Sequence, residues 1–423
     1  GKRVAVVERE LIGGECGYWA CIPSKTLLRP PEARGEVDRA AGVDGARLDW
    51  AGAREYRDYM VRGFDDSGQV ESYEHQGALV RKGEARIIGP GRVSVNGEEL
   101  LTDHIVVATG SDAAVPPIDG LGDVTVWTNR ETYEMTELPG AAVLVGGSAV
   151  GVETALLLAR FGVRVVLVQR GERLLEREEP RVSELTDGYL RSEGVDVRTG
   201  VSPRRARRDG AESVLDLDDG SELRGDVVIL GTGRSPRTEK LGLDSVGVAL
   251  GERGQIEVDE HCRAGEGVWA IGDVTGVLPF THVAKYQGRM AADAILGKPR
   301  PARYDGIPRV VFADPEIAAA GLTQAQAAAK GIRTATAEID LAGALARPWT
   351  FEREPRGHLG LLADADRRVL IGAWAVAPQA GEWIHQASLA IRAGLPIDVL
   401  LDQVAQFPTY SEGYLEALEA LKL

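Results

Sequence analysis

Cysteine and histidine are scarce, with three and six among 423 residues. Three thiols cannot make the multi-bridge framework of a small secreted domain, and a structural zinc site asks for four well-spaced ligands, so no metal site is expected. Long apolar runs are missing as well. No stretch approaches the roughly 18 consecutive apolar residues of a membrane-spanning helix and no secretory leader is visible, so no membrane partner is expected and cytoplasm is the expected location. Positive charge is in deficit, with 49 Lys and Arg against 64 Asp and Glu for a net charge of −15. Such a surface repels nucleic acid, which is therefore not an expected partner, and any site for an anionic cofactor has to be built locally. What is present is an ordinary globular composition, 44% hydrophobic and 27% charged, over a length sufficient for two or three domains.

Two of the three cysteines fall together, in the run Gly13-Gly14-Glu15-Cys16-Gly17-Tyr18-Trp19-Ala20-Cys21-Ile22-Pro23-Ser24-Lys25, between a predicted strand and a predicted helix. Within one regular helix this spacing holds the Cα atoms farther apart than the roughly 7 Å limit of a relaxed disulfide. Cys16 is therefore expected before the helix, in the turn that Gly13 and Gly14 permit. A thiol near a helix N-terminus has its thiolate favoured by unpaired backbone amides and the helix dipole, which is the setting of a catalytic dithiol. The alternative is a pair of buried core cysteines, against which the flanking Gly-Gly and Pro-Ser-Lys speak. Cys262 is read as structural. Tyr18 and Trp19 either wall an apolar substrate site or pack in the core.

A further absence lies at the start. Residues 4–7 read as a strand ending at Glu8, which fits the acidic residue that bonds a ribose in a dinucleotide-binding unit, yet no glycine fingerprint precedes it. The expectation is that roughly 30 residues of such a unit are lacking, and that the chain as it stands holds its first dinucleotide poorly or not at all. The strand, Gly-rich turn, helix and strand order is complete at residues 141–170, where Gly146 and Gly151 open a helix whose N-terminus can hold a pyrophosphate. Ser148 replaces one glycine there and is expected to loosen the close approach of backbone to phosphate. The second strand ends in Gln169, followed by Arg170 and Arg173, where an NAD site places a carboxylate. A neutral amide with two guanidiniums favours a 2′-phosphate, so NADPH is expected over NADH, with NADH possible; the alternative is that these arginines decorate a solvated loop. Elsewhere, residues 31–75 read as one or two exposed helices with Tyr56, Tyr59, Met60 and Phe64 at helical spacing. Residues 84–95, with a turn at Asn96-Gly97, read as an antiparallel meander, and residues 104–111 as a buried strand.

The dithiol run resembles the redox-active disulfide motif of the class I pyridine nucleotide-disulfide oxidoreductases, the flavoprotein family of dihydrolipoamide dehydrogenase, glutathione reductase and mercuric reductase. The likeness extends over essentially the whole chain. It implies an α/β fold with two Rossmann-like dinucleotide-binding domains and a C-terminal α+β dimerisation domain, the first FAD-binding strand and Gly-rich turn being absent. The expected boundaries are residues 1–138 with 262–303 for FAD, 139–261 for NAD(P)H and 304–423 for the dimer. The resemblance places Glu8, Gly14, Thr109, Gly110, Asp273, His282, Val283 and Ala284 around FAD. It makes Cys16 the thiol that meets substrate, Cys21 its disulfide partner against the flavin, and Lys25 a flavin-side cation paired with Glu153.

The departure is at the C-terminus. Phe407-Pro408-Thr409-Tyr410-Ser411-Glu412 resembles the family's ending, but phenylalanine stands where the family has its acid-base histidine, a group worth typically 10² to 10⁴ in rate. Glu412 is kept as a catalytic candidate, or else as a mere buried or interfacial carboxylate. His282 or Tyr410 either substitutes as the acid or only packs and hydrogen-bonds. Mercury reduction is disfavoured because the family's second cysteine pair is missing from the end of the chain. The reading is a homodimeric FAD-dependent NAD(P)H oxidoreductase working through the Cys16-Cys21 couple on a small-molecule electron acceptor. One alternative is direct flavin chemistry on a quinone or similar acceptor, and another is a non-catalytic dimer module.

Overall fold

The computed structural model describes residues 2–43 and 45–423. Gly1, the first residue of the expected FAD domain, lies outside the described residues. Four helices carry the argument below: α1 (Gly14–Tyr18), α2 (Cys21–Arg39), α3 (Ala149–Arg160) and α4 (Thr281–Ile295). The chain divides into two compact units, one made of residues up to Ser24 with Glu55–Val115 and Gly233–Arg303, the other of Lys25–Arg54, Pro116–Thr232 and Tyr304–Leu423.

In the first unit the strand Ala5–Glu8 pairs in parallel with Leu79–Lys82. The meander is present as Ala85–Gly89, Arg92–Val95 and Glu98–Leu101, its turn made by the left-handed Asn96 and Gly97, a pair that suits a two-residue hairpin. The strand expected over 104–111 is shorter. It runs only Ile105–Val107, because the left-handed Gly110 ends the extended run, and Ser111–Ala113 then pairs antiparallel with Arg234–Pro236. That pairing draws residues 233–261 into this unit rather than into the expected 139–261 domain. Ile105, Val107, Val268 and Ala270 fill its core with Leu243, Ile256 and Val274.

The second unit holds a five-stranded parallel sheet in the order Asp196–Thr199, Arg164–Gln169, Ala141–Val145, Val227–Leu230, Val126–Trp127. All five residues of its central strand Ala141–Val145 are buried, as a parallel strand covered on both faces requires. A five-stranded antiparallel sheet, from Pro308–Val311 to Val369–Ala377, carries a separate core rich in alanine and leucine. Beyond α2 come helices Trp50–Met60 and Ser67–His75, and on the former Tyr56 and Tyr59 stack on each other in solvent while Ala53 and Arg57 turn inward. Arg57 is only 2% exposed and pairs with Asp58.

A buried ionic knot ties α2 and α3 to the antiparallel sheet. Asp314 receives Arg39 at 2.8 Å, Arg160 at 2.8 Å and Arg356 at 3.0 Å, and Glu352 receives Arg39 at 2.6 Å. Burial pushes the Asp314 carboxyl up, but the three guanidiniums hold it below the usual carboxylate range. Glu316 shows the opposite balance. Burial, with Glu32, Glu382 and Asp314 nearby, lifts its carboxyl to about 7 against one opposing hydrogen bond from Gly381 N. A carboxyl raised on folding destabilises the native state as pH climbs from the unfolded value through the folded one. Glu316→Gln is therefore expected to gain stability over the parent at pH 8 and to match it near pH 4 in urea unfolding; a gain that is equal at both pH values refutes the titration.

Candidate active site

Left-handed Gly13 and Gly14 turn the chain after Leu11, whose carbonyl accepts from Gly14 N at 3.0 Å. Cys16 is not in that turn. It sits in α1, a separate five-residue helix closed by Trp19 N donating to Glu15 O at 2.8 Å, and Cys21 heads α2 after the break at Trp19 and Ala20. Both thiols are half-buried, and Cys21 Sγ lies 3.7 Å from Thr281 Oγ1 in the first turn of α4. Tyr18 and Trp19 are buried against Phe64, Val61 and Leu11. They pack in the core and do not wall a substrate site. Cys262 is fully buried, as a structural cysteine should be.

The residues expected around FAD fall in the same unit. Glu8 ends its strand half-buried and accepts from Glu10 N at 2.8 Å. Thr109 donates to Arg237 O at 2.6 Å, and Asp273 accepts from Ser111 Oγ at 2.6 Å. Phe280 stacks on His282, Val283 is buried and Ala284 is half-buried. Gly14 and Gly110 have φ of +62° and +72°, with no protein atom within 4 Å of where a Cβ would stand. Two bare, left-handed backbone turns in one unit with the carboxylates of Glu8 and Asp273 suit an extended dinucleotide, so these residues fit FAD. Sequence reasoning missed Ser111, Arg234, Arg237 and Glu15. Only Glu15, inside the dithiol motif, carried a signal.

In the second unit the Gly-rich turn is tight. A Cβ on Gly146 would meet Gly231 O at 2.4 Å, and one on Gly151 would meet Gly146 O at 2.0 Å. Ser148 takes part in the turn. It caps α3 through Gly151 N at 3.4 Å, and its hydroxyl donates to Gly231 O at 2.7 Å. Gln169 accepts from Gly147 N at 2.9 Å, tying the second strand to the turn. Arg170 is exposed. Arg173 is turned to other use, donating to Ser183 Oγ at 2.7 Å, Glu178 O at 2.9 Å and Glu176 O at 2.7 Å, which shapes the loop instead of presenting a guanidinium to a phosphate. Lys25 Nζ pairs with buried Glu153 at 2.7 Å, and the other Glu153 oxygen accepts from Phe312 N at 2.9 Å. The ammonium also stands 4.8 Å from the Phe312 ring centroid.

At the C-terminus, Phe407 is 75% exposed. Glu412 is drawn into a capping box with Thr409, whose N donates to it at 3.2 Å. Tyr410 is buried against Trp383 and Phe351, and desolvation pushes its hydroxyl far above the ordinary tyrosine value. No helix among the described residues is long and apolar enough to cross a membrane, and no cluster of metal-ligating side chains is found among them.

A family model for pyridine nucleotide-disulphide oxidoreductase matches residues 1–288, and one for the dimerisation domain of the same family matches residues 307–418. Mercuric reductase of Staphylococcus aureus is 33% identical over 422 residues, which cover 98% of this chain and 77% of that protein. Dihydrolipoyl dehydrogenase of Geobacillus stearothermophilus is 30% identical over 432 residues, covering 99% of this chain and 91% of that protein. The solved structure of the HOCl-induced flavoprotein disulfide reductase RclA from Escherichia coli aligns with a TM-score of 0.89 at 27% identity, covering 100% of this chain and 95% of that one. With the dithiol heading α2, the Gly-rich turn on α3 and a dimerisation domain after them, the chain belongs to the pyridine nucleotide-disulfide oxidoreductases, which are NAD(P)H-dependent flavoproteins.

Proposed function

We propose that this enzyme passes electrons from NADPH to the Cys16-Cys21 couple, and from Cys16 to a small acceptor whose reduction needs no proton delivered from position 407. The observation that carries the reading is the dithiol itself, with Cys21 at the head of α2 and beside Thr281, and Cys16 one short helix earlier. When bound, FAD supplies the two-electron exchange between a nicotinamide and the dithiol. The Thr281 hydroxyl supplies a hydrogen-bond donor to a Cys21 thiolate, and Glu153 holds the Lys25 ammonium in place. The α3 N-terminus and the Gly146–Gly151 turn hold the nicotinamide pyrophosphate. With Arg173 committed to its loop, the choice between NADPH and NADH rests on Arg170.

Arg170→Ala is expected to raise KM for NADPH about tenfold with KM for NADH unchanged, the worth of one charge-assisted phosphate contact. Arg173→Ala should affect both nucleotides alike. Equal effects of Arg170→Ala on both would refute the assignment. We also infer a homodimer, supported by the dimerisation-domain match and by the exposed Val404 and Phe407 within it.

A specific observation favours direct reduction of a quinone-type acceptor as the second reading: Phe407 offers no proton and Glu412 is engaged in its cap. The test is anaerobic reduction of the FAD-loaded protein with one equivalent of NADPH, or of NADH, followed by counting reactive thiols. Two new thiols per chain support the first reading. None, with the nucleotide consumed, leaves the second.

A further inference from the structure

Immediately before Cys16 stands a carboxylate that the proposed reaction does not use. Glu15 is 18% exposed, and its two oxygens face Arg237 Nη2 at 3.3 Å and Arg234 Nη2 at 3.7 Å. Both arginines are anchored elsewhere in the same unit. Arg237 Nε donates to Asp112 at 2.7 Å, and Arg234 holds Ser111 through Nε to Oγ at 2.9 Å and Nη2 to the carbonyl at 2.6 Å. Ser111 in turn donates to Asp273. Helix α1 has five residues, too few to persist without tertiary support. Tyr18 anchors its end in the aromatic cluster, and the Glu15 clamp fixes its beginning.

We propose that Glu15 is the positioning residue of the exchange thiol and, by balancing the charge of Arg234 and Arg237, sets that thiol's acidity; this rests on reading Cys16 as the thiol that meets the acceptor. The charges around α1 include Glu15 on the helix and Arg234, Arg237 and Asp112 on and beside the antiparallel strand pair of Ser111–Ala113 with Arg234–Pro236, with Arg9 acting on Asp112. Asp273 follows behind Ser111, and on the far side Asp66 accepts from Ile12 N and pairs with Lys82. Removing one of these charges tips the field at the neighbouring sulfur. Taking away the Glu15 charge leaves the guanidiniums in excess and favours the Cys16 thiolate. Taking away Arg237 does the reverse.

The test is the pH dependence of Cys16 alkylation by iodoacetamide in a Cys21→Ser background, read by mass spectrometry from pH 5 to 10. E15Q is expected to lower the midpoint by roughly one pH unit and R237Q to raise it by a similar amount, with E15D close to the parent. A clamp that only holds α1 in place moves both midpoints the same way or not at all, and that result overturns the proposal. R237Q keeps Glu15 in place, so its shift alone decides the matter if E15Q fails to fold. A Cys16 that resists alkylation across the range in the parent overturns its role as exchange thiol, and the Glu15 proposal with it.

Discussion

Asp314→Ala is expected to cost about 3 kcal/mol of stability, the lower end of the range for removing one partner from a buried ion pair. Three guanidiniums converge on this one carboxylate, which is 7% exposed. Arg160 retains Glu193, and Arg39 and Arg356 retain Glu352. That residual pairing is why the low end of the range applies. Urea unfolding should show a lower midpoint at an unchanged slope, because the surface exposed on unfolding is the same. The contrast is the exposed pair of Arg333 and Asp366, at 65% and 67% exposure and 2.6 Å, where Arg333→Ala should change stability by less than about 0.5 kcal/mol. The pH dependence has a definite sign. The Asp314 carboxyl is depressed in the folded state, so its contribution is complete above the unfolded value near 3.9 and is lost as pH falls through the lower folded value. The gap between parent and variant should therefore be flat from pH 5 to 8 and close only in acid. A gap that widens in acid would refute the charge argument.

Cys16→Ser is the second large expectation. A serine hydroxyl neither forms a disulfide with Cys21 nor ionises near neutrality, so turnover of a small aromatic disulfide should fall on the order of 10³-fold or more. Binding of the nicotinamide should be untouched, since the Gly146–Gly151 turn lies far along the chain and is held by its own contacts to Gly231. Measured on the same protein with a quinone, the outcome separates the two proposed readings. Loss with both acceptors means that all electrons leave through the dithiol. Loss with the disulfide alone means that quinones are reduced without it.

The strand, turn and helix at 141–169 were legible because each signal there is local: an apolar strand, glycines where a side chain would strike a carbonyl, and an apolar helix behind them. The details of that site were not. Ser148 reads as a flaw in a glycine pattern, yet it caps α3, and Arg173 reads as a phosphate ligand, yet it is consumed by two loop carbonyls and Ser183. Both errors concern hydrogen-bond partners that exist only once the backbone has closed. In the helix Trp50–Met60 the helical spacing was legible, but not which residues turn inward: Tyr56 and Tyr59 stay in solvent, whereas Arg57 lies inside and pairs with Asp58.

The sequence by itself determined the chemistry: a dithiol at the entrance to a helix, a glycine turn for a dinucleotide, an aspartate at the end of a strand, and the lack of a histidine at Phe407. These are statements about neighbours along the chain, where spacing dictates geometry. Tertiary structure alone decided how the charges pair. Glu15 meets an arginine 222 residues away, and Arg39 meets Asp314 across 275. Tyr410 is buried between the rings of Phe351 and Trp383, and desolvation raises its hydroxyl above the ordinary tyrosine value. Ion pairing and desolvation depend on distance in space, which residue order leaves open until the core has packed.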